Sequence, residues 1–252
     1  MKFAVFLPAQ CADSKRPVLY YLAGLTCTEA HFSQKASIGL KRAAELGIVM
    51  VFPDTSQREV EIEGDRASYD FGIAAGFYLD AIAEKWEKNY NMYTHITEEL
   101  RSIVNEKFNV LPDKQGIMGH SMGGHGALTI YAKNTDKFIS CSAFAPICNP
   151  INCAWGQKAF GGYLGEDQEQ WKKYDACELA ASSSAKLAFY IDQGEKDQFY
   201  PGQLLPENLE KVCKEKGHEI VLNLREGYDH SYYTISTFVE DHINYHWERI
   251  KV

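Results

Sequence analysis

Apolar and polar residues alternate from Lys2 to Leu7, the pattern of a half-buried strand. After a polar turn, Gln10 to Lys15, the run Arg16-Pro17-Val18-Leu19-Tyr20-Tyr21-Leu22 is almost continuously apolar and predicts a strand buried on both faces. Ile48-Val49-Met50-Val51-Phe52, closed by Pro53 and Asp54, predicts a third strand, and Gln115 to Gly119, Ile139 to Phe144, Lys186 to Asp192 and Ile220 to Leu224 predict four more. Between them the apolar period lengthens to that of a helix. One helical pattern runs from about Phe32 to Leu46 and ends at Gly47. A second covers Thr94 to Phe108, with Ile96, Leu100, Ile103, Val104 and Phe108 on one face. Three more follow: one ending near Lys133, one from Pro206 to Lys216 stopped by Gly217, and one from Tyr232 to Ile250. Strands alternating with helices of this length predict an α/β fold, a mostly parallel sheet covered on both faces. With no repeat, low-complexity tract or linker, the expectation is one domain over residues 1–252.

Two stretches have no clear period. From Pro53 to about Asp80 a long irregular segment carries Tyr69, Phe71, Phe77 and Tyr78 between Gly72 and Gly76, so it is expected to be ordered, to lie over the sheet ends and to wall a pocket. The segment from Ala145 through Trp155 to Leu164 reads as an irregular insertion.

Composition narrows the function. A hydrophobic content of 45% supports a sizeable core, and 26 Lys and Arg against 34 Asp and Glu give a net charge of -8, which argues against nucleic-acid and anionic-membrane partners. No uncharged apolar run approaches the roughly 18 residues of a membrane span, and no basic segment followed by a cleavable apolar stretch opens the chain. Seven cysteines, an odd number without zinc-site spacing, fit free thiols in a reducing cytoplasm. His31, His95, His218, His242 and His246 lack carboxylate or cysteine neighbours at ligand spacing, so metal catalysis is not expected.

The chemistry centres on Gly119-His120-Ser121-Met122-Gly123, a Gly-x-Ser-x-Gly core between an apolar run and a helical one. This is the pattern of a nucleophile elbow, in which a sharp strand-to-helix turn pushes the serine out to react. A serine hydroxyl needs a base to take its proton, and the base needs an orienting group. In elbow architectures these follow as Asp or Glu and then His, on loops leaving later strands. Ile191-Asp192-Gln193-Gly194-Glu195-Lys196-Asp197 supplies the acid: Asp192 lies too close to the strand, so Asp197 is the choice and Glu195 the fallback. Arg225-Glu226-Gly227-Tyr228-Asp229-His230 supplies the base, His230. His120 and His125 sit too close to the nucleophile in sequence to serve it and are expected to pack around it. Attack on a carbonyl creates an oxyanion, for which the amide of Met122 and one from Gly24-Leu25-Thr26, that of Leu25, are the expected donors.

Motifs through the whole chain then resemble the S-formylglutathione hydrolase (esterase D) family. They include Leu22-Ala23-Gly24-Leu25-Thr26-Cys27-Thr28, Pro53-Asp54-Thr55-Ser56, Ala75-Gly76-Phe77-Tyr78, Gly119 to Leu128, Ser142 to Pro150, Ile191-Asp192-Gln193-Gly194 and Gly227 to Tyr233. The resemblance implies an α/β-hydrolase fold and a serine thioesterase that cleaves S-formylglutathione to glutathione and formate through a formyl-enzyme, with side activity on short esters. A general carboxylesterase or an acyltransferase on the same fold is the alternative. It also implies a cytosolic homodimer that needs no metal or organic cofactor, the same five residues in the same roles, and a thiol near the nucleophile at Cys27. Trp155, Phe160 and Tyr163 resemble walls of the acyl pocket or glutathione groove. Family chains begin well before the segment matching Met1, so the strands that open the sheet are expected to be missing: either the start is misassigned or truncated, or Lys2 to Leu7 is left as an exposed edge.

Overall fold

The structure is a computed structural model and describes residues 1–251. Seven strands form one sheet in the order β1-β3-β2-β4-β5-β6-β7: β1 (Phe3–Phe6), β2 (Arg16–Leu22), β3 (Val49–Pro53), β4 (Val110–His120), β5 (Ser140–Phe144), β6 (Ala188–Gly194) and β7 (Glu219–Arg225). All neighbours run parallel except β1, which pairs antiparallel with β3 at the edge. All four β1 residues are half-buried, Phe3 and Val5 against one core and Ala4 and Phe6 against the other, so the strand closes the sheet at its edge.

The apolar run of β2 shows why the sheet is sandwiched. Side chains alternate in direction along a strand. Val18, Tyr20 and Leu22 pack into one core with the helix Met122–Lys133 and the segment around Phe77 and Tyr78. Leu19 and Tyr21 pack into the other, with the helices His31–Lys35, Ser37–Leu46 and Tyr232–Ile250. Both faces being dry, the strand has no polar side to show, and periodicity gives way to a continuous run.

Several elements depart from the expected bounds. The pattern from Phe32 to Leu46 is two helices broken at Ala36, which leaves helical geometry at φ -133° and ψ 35°. The break re-aims the second helix so that Gly39 lies against Phe32 and Val239 of the C-terminal helix. The pattern from Thr94 to Phe108 is Met92–Thr94, a π-wound turn His95–Leu100 and Arg101–Lys107 in succession. The supposed irregular insertion holds a full helix, Ala154–Leu164, followed by Gln168–Lys172 and Ala176–Ser182. Ala154–Leu164 shows only Gln157 and Lys158 as exposed polar residues, too few to mark a surface helix, while Trp155, Gly156, Ala159, Phe160, Tyr163 and Leu164 are all buried. Ala176–Ser182 did carry a signal: Asp175 caps it, accepting from the amides of Cys177 at 2.9 Å and Glu178 at 3.2 Å.

In this strand order the chain moves outward in both directions from β2, to β3 on one side and to β4 on the other. A crevice opens at such a reversal, beyond the carboxyl ends of the strands. The register brings Leu22 opposite Gly119, His120 opposite Phe144, Phe144 opposite Asp192 and Gly194 opposite Arg225, so the loops leaving β2, β4, β5, β6 and β7 emerge side by side.

Candidate active site

Ser121 occupies the one-residue corner between β4 and the helix Met122–Lys133, with φ 57° and ψ -118°. Positive φ is rare for a residue with a side chain, and here the surroundings enforce it. The Ser121 amide donates to Phe144 O at 3.0 Å, and its carbonyl accepts from His125 at 2.9 Å. The flanking glycines have no alternative: a Cβ on Gly119 would lie 2.1 Å from Gly123 O, and one on Gly123 would lie 2.0 Å from Leu22 O. The elbow thus presses directly on the end of β2.

His230 lies in the loop after β7, just ahead of the C-terminal helix, whose N-cap Ser231 accepts from the Tyr233 amide at 3.2 Å. Its Nδ1 is 2.5 Å from Asp197 Oδ2. The Asp197 carboxylate is fully enclosed and accepts two more bonds, from the Phe199 amide at 2.8 Å and from Gln193 Nε2 at 3.2 Å. Asp192 instead stays on the strand, where Arg225 and Asn223 bind it and His242 Nε2 lies 3.7 Å away. Burial works to raise the Asp192 pKa, but these partners overcome it and hold the group below the ordinary carboxylate value. Glu195 is exposed on the turn between.

Ser121 and His230 line one cavity of about 190 Å³ with Gly24, Leu25, Thr26, Cys27, Tyr69, His120, Trp155 and Phe199. Within the loop after β2, the Thr26 amide donates to Ala74 O and the Cys27 amide to Gly24 O, while the Leu25 amide meets no acceptor among the described residues. Met122 is the first residue of its helix, where no carbonyl lies in position to accept its amide. Two unclaimed donors therefore border the serine, one at the start of its own helix and one on the loop after β2. Cys27 is 9% exposed, and burial pushes its thiol pKa up.

His120 sits behind the His230 ring, centroids 4.6 Å apart, with Nε2 3.1 Å from the His230 carbonyl. A carbonyl only accepts, so Nε2 carries the proton. Burial first, and the neighbouring His230 second, push the His120 pKa well below its ordinary value, so the ring stays neutral. His125 points the other way and binds Phe77 O at 3.0 Å.

Of the three aromatics expected to wall the pocket, Trp155 does so. Phe160 and Tyr163 do not. Phe160 is fully buried against His125 and Trp171, and Tyr163 stacks between Phe71 and Tyr90 while its hydroxyl bonds the Gly72 amide and Ala75 O. One face of the helix Ala154–Leu164 meets the cavity at its first turn only, so residues one and two turns further on are carried into the core. Tyr69, in the segment expected to wall a pocket, does line the cavity, whereas reading the sequence missed Phe199 as a wall. Tyr69, 61% exposed, sits in the irregular segment after β3. Phe199 packs edge-on to His230 at 4.9 Å and against Trp155 at 4.7 Å. Its placement is local: the Phe199 amide donates to Asp197 Oδ1 at 2.8 Å, an Asx turn that carries the ring beside His230.

The family model for a putative esterase matches residues 1–248. The S-formylglutathione hydrolase of Arabidopsis thaliana is 52% identical over 256 residues, covering 100% of this chain and 89% of that protein. The S-formylglutathione hydrolase of Mus musculus is also 52% identical, covering 98% of this chain and 88% of that protein. A solved S-formylglutathione hydrolase from Agrobacterium tumefaciens superposes with a TM-score of 0.96 at 44% identity, over 98% of this chain and 89% of that one. A ferulic acid esterase, at 19% identity and a TM-score of 0.70, shares the fold. The architecture is the α/β-hydrolase fold, and the chain belongs to the putative esterase family.

Proposed function

We propose that this chain is a serine thioesterase that hydrolyses S-formylglutathione to glutathione and formate, the hydrolytic step of formaldehyde detoxification. Ser121 is its nucleophile, His230 its base and acid, and Asp197 its orienting carboxylate. The observation that carries the reading is the convergence at the sheet end: a serine forced into positive φ, sharing its cavity with a histidine whose other nitrogen is 2.5 Å from a buried aspartate. In the first half-reaction Ser121 Oγ attacks the formyl carbon as His230 Nε2 takes the hydroxyl proton. The oxyanion is met by the Leu25 and Met122 amides. The C–S bond then breaks, and His230 returns the proton to the departing glutathione thiolate. In the second half-reaction water adds to the formyl-enzyme with its proton going to His230. The bond from carbon to Ser121 Oγ breaks, Oγ recovers the proton, and formate leaves.

The small cavity, closed by Trp155 and Phe199, suits a formyl group, and short carboxylic esters follow as side substrates. The chain acts as one domain over residues 1–252. No helix among the described residues is long and apolar enough to cross a membrane. Seven unpaired thiols support a cytoplasmic location, and by its family the enzyme works as a homodimer, a state that light scattering would report.

Ser121→Ala is expected to abolish turnover of S-formylglutathione with the thermal melt unchanged within a few degrees; retained hydrolysis would sink the reading. In the wild type, specific activity on S-formylglutathione should exceed that on a short aryl ester. The reverse order would favour a general carboxylesterase.

A further inference from the structure

An oxyanion donor works only if it is aimed before the charge forms. The Met122 amide is aimed by its helix. The Leu25 amide belongs to a loop, and the next residue, Thr26, has φ 67°, a conformation that residues with side chains rarely adopt. Something outside the loop must hold it. On one side the Thr26 amide donates to Ala74 O at 3.1 Å. On the other, two side chains converge on the Cys27 carbonyl: Thr55 Oγ1 at 2.6 Å and Arg58 Nη2 at 2.8 Å.

Both donors come from the residues that follow β3, and both are fixed in turn. The Arg58 guanidinium grips Asp54 through Nε at 2.6 Å and Nη2 at 2.8 Å, while the Thr55 amide donates to Asp54 Oδ1 at 2.7 Å. Asp54 is 2% exposed, at the end of a strand whose five residues are all buried. A planar fork clamped on a buried carboxylate leaves Nη2 little freedom except to point at Cys27 O. Neither Thr55 nor Arg58 lines the cavity that holds Ser121, so neither touches the reacting atoms.

We propose that Thr55 and Arg58 are positioning residues for hydrolysis. By anchoring the Cys27 carbonyl to the end of β3 they hold the Leu25 amide where the oxyanion develops. The inference rests on reading that amide as an oxyanion donor.

The test uses the full chain with Arg58→Gln, Arg58→Lys and Thr55→Val, and compares two readouts. One is kcat and KM for S-formylglutathione. The other is inhibition by a trifluoromethyl ketone thioether, which adds to the serine and places an oxyanion in the same hole. Arg58→Gln and Thr55→Val are each expected to lower kcat about tenfold, part of the roughly hundredfold effect of losing a donor outright. KM should stay within about twofold, and the ketone should bind more weakly by the same factor as kcat falls. Arg58→Lys should not restore activity, because one ammonium cannot grip both Asp54 oxygens and reach Cys27 O. Thr55→Val leaves the Asp54–Arg58 pair intact and decides the matter if Arg58→Gln does not fold. Unchanged kcat and ketone affinity in folded Thr55→Val, or a rise in KM alone, overturns the inference. A wild type that the ketone does not inhibit overturns the underlying reading of the site instead.

Discussion

Replacing Asp197 by asparagine tests the acid of the proposed triad by exchanging a single oxygen for an NH2 group. The carboxylate has three donors around it. Phe199 N–H points at Oδ1, whereas Gln193 Nε2 and His230 Nδ1 face Oδ2. A backbone amide cannot turn its hydrogen away, so the asparagine carbonyl must take the Oδ1 position and its NH2 the Oδ2 position. His230 Nδ1 then faces a donor and must itself be the acceptor. The proton moves to Nε2, the atom that has to receive the Ser121 proton, and the base is blocked by its own tautomer. Gln193 Nε2 keeps its bond to Gly194 O at 3.0 Å and gives up only the one to Oδ2, at 3.2 Å the longest of the three around the carboxylate. Folding should therefore survive.

The magnitude follows from the tautomer argument. Where an aspartate of this kind has been exchanged for asparagine in another serine hydrolase, kcat falls about 10⁴-fold, equivalent to about 5.5 kcal/mol of barrier. The assay is kcat on S-formylglutathione and on an aryl ester, with the thermal melt as a control. Asp192→Asn supplies the contrast. That carboxylate is equally buried but binds Arg225 and Asn223, so its loss should cost about 2 kcal/mol of stability and leave kcat within a few-fold. If Asp197→Asn retains kcat within tenfold of wild type, or if Asp192→Asn is the variant that loses it, the tautomer argument and the choice of Asp197 both fail.

Two further outcomes follow. Burial lowers the His125 pKa from 6.5 to about 4. Its contribution to stability is therefore complete above pH 6.5 and is lost as pH falls toward 4, by about 3 kcal/mol. Urea unfolding at pH 7, 6, 5 and 4.5 should show this loss and His125→Gln should flatten the curve, although His120 and His246 shift in the same direction and will leave part of the slope; parallel curves would contradict the assignment. Cys27 lines the catalytic cavity but its thiol pKa is raised by burial, so alkylation should be slow at neutral pH, quicken in base, and slow hydrolysis once complete, with Cys27→Ser insensitive. Full activity after verified modification of Cys27 would show that the thiol does not crowd the site.

What could be read in advance depended on whether a constraint was local. The runs at Val18 to Leu22 and Ile48 to Phe52 announce buried strands because neither face meets water, and Gly119 and Gly123 announce the elbow because each would collide with backbone if it bore a Cβ. Ser121, Asp197 and His230 could be named because each falls in the loop after a recognisable strand. Phe160 and Tyr163 could not be separated from Trp155 in the same way. All three are buried aromatics on one helix, and only the placement of that helix over the sheet decides that its first turn meets the cavity while the rest meets Phe71, His125 and Trp171.

The parts hidden from the sequence are those whose partners arrive from elsewhere in the chain. Thr55 and Arg58 look like ordinary polar residues after a strand until Cys27 O, 28 and 31 positions earlier, is brought beside them. The strand order makes that meeting necessary. β3 lies next to β2 on the side away from β4, so the loop leaving β2 is bordered by the elbow on one side and by the exit of β3 on the other. The elbow fixes the serine and one amide through rigid secondary structure. The opposite border has no helix to impose its geometry, and a buried aspartate with an arginine clamped on it does that work. A loop held from both sides of the crevice can keep an amide aimed at a charge that exists only during reaction, and the residues that aim it need never enter the pocket.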